Sequence, residues 1–146
     1  MSTAVNRGET VVVAGGTSDS HTWNLVFLQL LLEEMGFDVV NLGPCVPEDL
    51  LIAESLARRP ALLVLSSVNG HGYQDGMRMI TRLRERAELS ALPAVIGGKL
   101  GISGAQDAAE RANLLQAGYD AVFDDSAGDI DTFRQLLDSL PQRTPA

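Results

Sequence analysis

The chain has 146 residues, of which 45% are hydrophobic and 5% aromatic, and a formal net charge of −8 at pH 7. This length suits one domain with a sizeable aliphatic core. The charge argues against a nucleic acid or an anionic membrane as partner, because phosphate binding needs a basic footprint and the chain has a single lysine, Lys99.

Location and redox context follow from the same composition. Residues 1–10 are polar, and no apolar run reaches the length of a membrane span. Cys45 is a single cysteine, so it forms no disulfide within the chain. We therefore expect a soluble, cytoplasmic protein.

Strand and helix patterns alternate five times along the chain. The predicted strands are Thr10–Ala14, Phe37–Gly43, Ala61–Leu65, Leu92–Ile96 and Tyr119–Phe123. The predicted helices are Leu25–Met35, Pro47–Arg58, Tyr73–Glu88, Ala108–Gly118 and Ile130–Leu140. In the third helix the spacing turns Met77, Ile80 and Leu83 inward and makes Arg78, Arg82, Arg84 and Arg86 a solvated face.

This alternation predicts an α/β fold, a flavodoxin-like, doubly wound parallel sheet of five strands in the order 2-1-3-4-5. The domain is expected over residues 1–140, with a disordered tail at 141–146. In that order the connections reverse between strands 1 and 3. A crevice for a ligand is therefore expected there, at the carboxyl ends of the strands.

The segment after the first strand has the chemistry of a site. It combines Gly15 and Gly16 with several hydroxyl side chains, and it places Asp19 two residues before His21. A carboxylate that accepts one imidazole N–H leaves the other ring nitrogen free as a base or a metal ligand. The alternative is a helix cap followed by a solvated histidine.

Two further loops, Ser66–Gly72 and Gly97-Gly98, are expected at the same edge. A phosphoacceptor domain would need clustered acids after the first strand, which has glycines instead. A flavin phosphate would be repelled by Asp19, and aromatic residues to stack a flavin are scarce. A hydrolase would need a nucleophile elbow, which neither Ser18 nor Ser20 has.

The three loops together resemble a known family. Ser18-Asp19-Ser20-His21, Ser66-Ser67-Val68 and Gly97-Gly98 are similar to the DxHxxG, SxL and GG signatures of cobalamin-binding domains, in the same order and on the same loops. The resemblance covers nearly the whole chain and is closest to the small, free-standing subunits of glutamate (methylaspartate) mutases. The runs Met35–Gly43 and Gly118–Phe123 are also similar to those subunits.

The resemblance implies a role for each matching residue. His21 would ligate cobalt in place of the cofactor's own base, with Asp19 bonded to the other ring nitrogen. The displaced nucleotide tail would enter the crevice between strands 1 and 3. The implied cofactor contacts are Ser18, Asp19, His21, Thr22, Ser66, Val68, Gly97 and Gly98, with His21 as the metal ligand and no catalytic residue.

The resemblance also implies adenosylcobalamin as cofactor and a hetero-oligomer with a larger catalytic mutase subunit that holds the substrate. The chain would then be inactive alone. Asn24 replaces the last glycine of the first signature and Val68 the leucine of the second, so altered binding stays open. The other open functions are a corrinoid carrier or sensor for a methyltransferase or regulator, and an interaction module that binds no cobalamin.

Overall fold

The computed structural model describes residues 9–15, 23–67, 72–98, 105–123 and 133–138. Within them the strands are β1 (Thr10–Gly15), β2 (Asp38–Asn41), β3 (Leu62–Ser67), β4 (Ala94–Gly98) and β5 (Ala121–Phe123). The helices are α1 (Trp23–Glu34), α2 (Glu48–Arg58), α3 (Gly72–Glu85) and α4 (Ala105–Ala117), with a 3-10 turn at Ala87–Leu89. Residues 133–138 are also helical.

The strands form one parallel sheet in the order β2-β1-β3-β4-β5, which confirms the predicted architecture. Valine and leucine fill the central strands because helices cover both faces of the sheet. Val11, Val12 and Val13 of β1 are all fully buried. The strand order reverses between β1 and β3, so α1 and α3 pack on opposite faces.

The sheet separates two apolar cores, because successive residues of a strand point to opposite faces. The core beneath α2, α3 and α4 includes Val12, Ala14, Leu63, Leu65, Ile96 and Val122. The core beneath α1 and residues 133–138 includes Val11, Val13, Val64, Val95, Phe123 and Phe133. The second core matters most for the site, since α1, the helix that follows β1 in the chain, packs on that face.

Two helices end at a glycine followed by a buried aromatic residue. Gly36 after α1 has a φ of 97°, and the N–H of Phe37 donates to the carbonyl five residues back at 3.1 Å. Gly118 after α4 has a φ of 136°, and the N–H of Tyr119 makes the equivalent bond at 3.3 Å. This left-handed ending satisfies a helix carbonyl and leads the chain directly into the next strand.

β3 and β4 extend further than the sequence predicts. Ser66 and the Gly97-Gly98 pair are expected in loops, but they lie within the last two residues of β3 and β4. Ser66 pairs with Gly15 on one side and with Gly97 on the other, and Ser67 pairs with Gly98. Backbone partners on both sides of β3 outweigh the low strand propensity of serine and glycine.

Arg84 is not on a solvated face, which corrects the prediction at this position. The other three arginines, Arg78, Arg82 and Arg86, have side chains that are 45–53% exposed, as predicted. The side chain of Arg84 is 17% exposed. The guanidinium donates to the carbonyls of Gly118 at 2.6 Å and of Leu89 and Leu92 at 2.7 Å, and lies 3.5 Å from Asp120. Its planar fork of donors thus joins α3, α4 and the segment before β4 at the amino edge of the sheet.

Gly76 lets α3 pack closely on the sheet. A Cβ at this position would lie 2.5 Å from Cδ1 of Ile96. The carbonyl of Gly76 also accepts a hydrogen bond from the hydroxyl of Tyr119 at 2.8 Å. Tyr119 is 3% exposed, and burial raises the pKa of its phenol well above the usual value.

Within the described ranges, no helix is both long enough and apolar enough to cross a lipid bilayer. The predicted last helix, Ile130–Leu140, is helical over 133–138, the part that the structure describes. The domain bounds 1–140 and the disordered tail 141–146 stay predictions, because residues 1–8 and 139–146 lie outside the described ranges.

We expect the Tyr119 phenol to stay protonated until the protein unfolds in alkali. Only the unfolded state releases this proton as the pH passes about 10, so the free energy of unfolding should fall as the pH rises above that value. A Tyr73→Phe variant leaves Tyr119 as the only tyrosine. Its tyrosinate absorbance and far-ultraviolet circular dichroism should change together, and ionisation near the ordinary pKa with the fold intact would contradict the burial.

Candidate functional site at the carboxyl edge of the sheet

The carboxyl ends of four strands meet in one row of paired residues. Gly15 pairs with Ser66, Ser66 with Gly97, and Gly97 with Phe123. Residues paired across parallel strands point to the same face. This row points to the face beneath α1. Phe123 and the paired valines two positions earlier on β1, β3 and β4 belong to the core on that face.

The residues of β1, β3 and β4 at this end of the face are small. Two positions earlier the face carries a valine on each of β1, β3 and β4. At the strand ends Gly15 and Gly97 have no side chain. Among the described residues, a Cβ built on Gly97 would meet only Phe123, at the ordinary contact distance of 3.6 Å. Among the described residues, the face therefore changes from valine side chains to positions without a side chain where a ligand between α1 and the sheet would need room.

Ser66 supplies the polar group of this row. Its side chain is 4% exposed, and its hydroxyl can donate and accept hydrogen bonds. The glycines paired with it on both sides place no side chain beside the hydroxyl. At the far end Phe123 packs edge-on against Phe133, with ring centroids 5.4 Å apart and planes at 71°. The row thus places a buried hydroxyl between two glycines and ends at an aromatic side chain of β5.

Most of the other predicted site residues lie outside the described ranges; these are Ser18, Asp19, His21, Thr22 and Val68. The described chain brackets the first four, since β1 ends at Gly15 and α1 begins at Trp23. Gly98 ends β4 and pairs with Ser67, one position beyond the row. Of the predicted residues, the structure thus brings Ser66 and the two glycines of β4 together beside the end of β1.

The turn after β2 lies at the same edge and was not predicted as part of the site. The N–H of Gly15 donates to the carbonyl of Gly43 at 3.0 Å, and the N–H of Val46 donates to the carbonyl of Gly15 at 3.4 Å. Asn41 accepts the N–H of Gly43 at 2.9 Å and donates to Gln29 of α1 at 3.2 Å. An asparagine two residues before a glycine was the signal in the sequence.

Ion pairs join α2 to α3 on the opposite face of the sheet. Arg78 lies 3.4 Å from Glu48 and pairs with the buried Asp75, and Arg82 pairs with Asp49. The hydrogen bond to Asp49 raises the pKa of Arg82 above its usual value. A surface cleft of about 420 Å³ beside them is lined by Asp49, Ile52, Ala53, Leu56, Arg82, Glu85 and Arg86. We assign this region to helix packing, because its arginines are already paired with carboxylates.

Known proteins match this chain over most of its length. The sequence model of the B12 binding domain matches residues 9–128. Glutamate mutase sigma subunit 1 of Haloarcula marismortui is 27% identical over 135 residues, which cover 92% of this chain and 88% of that subunit. The glutamate mutase sigma subunit of Escherichia coli O157:H7 is 29% identical over 135 residues, with 92% and 89% covered.

Solved structures with the same fold include corrinoid proteins. A cobalamin-binding protein of Desulfitobacterium hafniense DCB-2 superposes with a TM-score of 0.68 at 22% identity, covering 88% of this chain and 58% of that chain. The monomethylamine corrinoid protein of Methanosarcina barkeri superposes with a TM-score of 0.69 at 18% identity. The superposition covers 90% of this chain and 60% of that chain. The chemotaxis protein CheY4 of Vibrio cholerae superposes with a TM-score of 0.60 at 12% identity. The superposition covers 91% of this chain and 99% of CheY4.

At these identities the superpositions show a shared fold alone, since CheY4 is matched as well as the corrinoid proteins in coverage of this chain. The family match is more specific. It begins at the residue before β1, runs through all five strands, and includes the row of Gly15, Ser66 and Gly97. The chain belongs to the B12-binding domain family.

Proposed function

We propose that this chain is the cobalamin-binding subunit of an adenosylcobalamin-dependent carbon-skeleton mutase of the glutamate mutase type. The observation that carries the proposal is the match to the sigma subunits, which runs along 88–89% of their own length in two of them. The superposed corrinoid proteins are matched over only 58–60% of theirs. This difference favours a mutase subunit over a corrinoid carrier for a methyltransferase.

The metal ligand in this proposal is His21, with Asp19 as the partner of its second ring nitrogen. A carboxylate in that position fixes the imidazole tautomer and raises its basicity toward the metal. Ser18 and Thr22 are proposed as further contacts from the same segment. That segment runs between Gly15 and α1, so it is joined to the described edge at both of its ends.

The described residues fit the nucleotide tail of cobalamin. A tail that enters between α1 and the sheet needs space at the strand ends and a polar group inside it. Gly15 and Gly97 provide the space, and the buried hydroxyl of Ser66 provides the polar group. Val68 and Gly98 are proposed as the further lining of this slot.

The chain is proposed to supply binding, and its partner to supply the substrate site. Adenosylcobalamin supplies a cobalt–carbon bond whose homolysis starts radical chemistry, and such chemistry needs a closed pocket that excludes water. One open sheet edge does not form that pocket. A larger catalytic subunit covering this edge would complete it. Exposed apolar side chains on α1, at Val26, Phe27 and Leu30, support a partner on this side.

The first test is the absorption spectrum of the purified chain reconstituted with cobalamin. We expect the spectrum of a cobalamin whose own base is displaced by histidine. In His21→Ala the histidine-ligated form should disappear, and Asp19→Asn should weaken binding by about 10- to 100-fold. His71→Ala is the matched control, since His71 is the other histidine of the chain and should leave the spectrum unchanged.

Two results would contradict this assignment. One is histidine ligation that persists in His21→Ala, and the other is wild-type protein that binds no cobalamin. The altered signature position Asn24 is tested in the same assay by Asn24→Gly, which should bind cobalamin at least as tightly as the wild type.

A second prediction concerns the slot. Gly97→Val adds a branched side chain beside Phe123 at the strand end, so it should weaken cobalamin binding by about tenfold or more while the chain stays folded. Ala121→Val is the control: it also ends in a branched valine side chain, in the row two positions earlier on the same face. This control should bind normally. Equal affinity of the Gly97→Val variant and the wild type would place the tail elsewhere.

A third prediction concerns the partner. The purified chain with adenosylcobalamin and glutamate should give no rearrangement, because the substrate site is proposed to lie on another subunit. Addition of a glutamate mutase large subunit should give turnover, and cobalamin should strengthen the association of the two chains. Turnover by the chain alone would overturn the proposed division of roles, and methyl transfer from the bound corrinoid would favour the carrier function.

A further inference from the structure

The turn after β2 bonds to both of the described elements between which Asp19 and His21 lie in the chain. Both backbone groups of Gly15 at the end of β1 bond to this turn: the N–H donates to Gly43 at 3.0 Å and the carbonyl accepts from Val46 at 3.4 Å. The other element is α1, which begins at Trp23. The same turn therefore controls the position of Gly15, the last described residue before Asp19 and His21.

Asn41 connects this turn to α1. Its Oδ1 accepts the N–H of Gly43 at 2.9 Å, and its Nδ2 donates to Oε1 of Gln29 at 3.2 Å. Gly43, in turn, accepts the N–H of Gly15. One side chain thus links β1 to α1 by three hydrogen bonds in series, all between half-buried or buried groups.

The geometry of the turn explains why an asparagine is needed. Gly43 has a φ of 87°, which directs its N–H back to the side chain two residues earlier and its carbonyl toward Gly15. An amide side chain offers an acceptor for that N–H and a donor for Gln29 at the same time. Alanine would lose both bonds, and serine is too short to span the two.

We propose that Asn41 is a positioning residue for cobalt ligation. By holding Gly15 and α1 at a fixed spacing, the bonds through Asn41 would fix the two points of the chain between which His21, the proposed metal ligand, lies in sequence. Pre-organisation of this kind lowers the cost of ordering a ligand when the metal arrives. The inference rests on the proposed cobalamin-binding function and adds a residue outside the signature motifs.

The test compares Asn41→Ala with two changes at Gln29. Of the bonds of Asn41, Gln29→Ala removes only the one to α1, and it also removes the exposed hydrogen bond that Gln29 donates to Glu33 at 3.3 Å. Gln29→Glu also loses the bond to Glu33 but keeps an acceptor for Nδ2 of Asn41, so the difference between the two variants reports the link to Asn41. In each variant we would measure the cobalamin dissociation constant and the histidine-ligated fraction at fixed pH. The latter is given by absorption and by the nitrogen splitting in the electron paramagnetic resonance spectrum of the cobalt(II) form with ¹⁵N-labelled histidine.

We expect Asn41→Ala to bind about tenfold more weakly and to show a lower histidine-ligated fraction. Gln29→Ala should also raise the dissociation constant and lower the histidine-ligated fraction. Gln29→Glu should show wild-type ligation. Arg84→Ala is the control for a general loss of stability, because Arg84 joins elements at the opposite edge of the sheet. It should lower the free energy of unfolding and leave ligation unchanged.

Without cobalamin, amide hydrogen exchange at Gly15 should accelerate in Asn41→Ala, because its acceptor on Gly43 is no longer held. A wild-type histidine-ligated fraction in both Asn41→Ala and Gln29→Ala would overturn the inference. An Arg84→Ala variant whose histidine-ligated fraction falls as far as that of Asn41→Ala would also overturn it. Should Asn41→Ala not fold, the Gln29 pair decides the question alone. Wild-type protein that shows no histidine ligation would instead refute the proposed function, so the two failures are distinguishable.

Discussion

The parallel register of the sheet is the constraint on which the site depends. It aligns the last residue of β1 with Ser66 and Gly97, which are far apart in the chain, and turns all three toward α1. A slip of one residue in β3 would turn Ser66 to the other face and bring Leu65 into the row. Val64 would exchange faces with a leucine in the same slip, and the change of side-chain volume in two close-packed cores opposes it.

The two edges of the sheet serve different purposes. At the amino edge Arg84 and Asp120 bind backbone groups around the ends of α3 and α4, so polar side chains close that edge. At the carboxyl edge the strands end in small residues, and the turn after β2 bonds back to Gly15. Among the described residues, the bonds of Arg84 and Asp120 therefore lie at the edge opposite the row of Gly15, Ser66 and Gly97.

The position of a metal ligand in such a fold depends on backbone hydrogen bonds as much as on the ligand itself. A segment between a strand and a helix is only as well placed as its two ends. In this chain Asn41 and Gly43 join those ends through side-chain and backbone bonds that no signature motif includes. Under the proposed function, an intact motif on a loosened turn would bind cobalamin more weakly, because the entropy of ordering the segment would be lost on binding.

The sequence alone determined the fold class, the strand order and the family, because β-branched runs, helical spacing and turn residues are local signals that agreed with one another. Helix stops such as Gly36 were predictable for the same reason. Only the tertiary structure decided that Ser66 and Gly97 belong to strands, since their backbone partners come from neighbouring strands. It also decided that Arg84 turns inward and that Asn41 reaches α1. These contacts join residues distant in the chain, and no local pattern encodes which carbonyl or amide will be within reach once the sheet has formed.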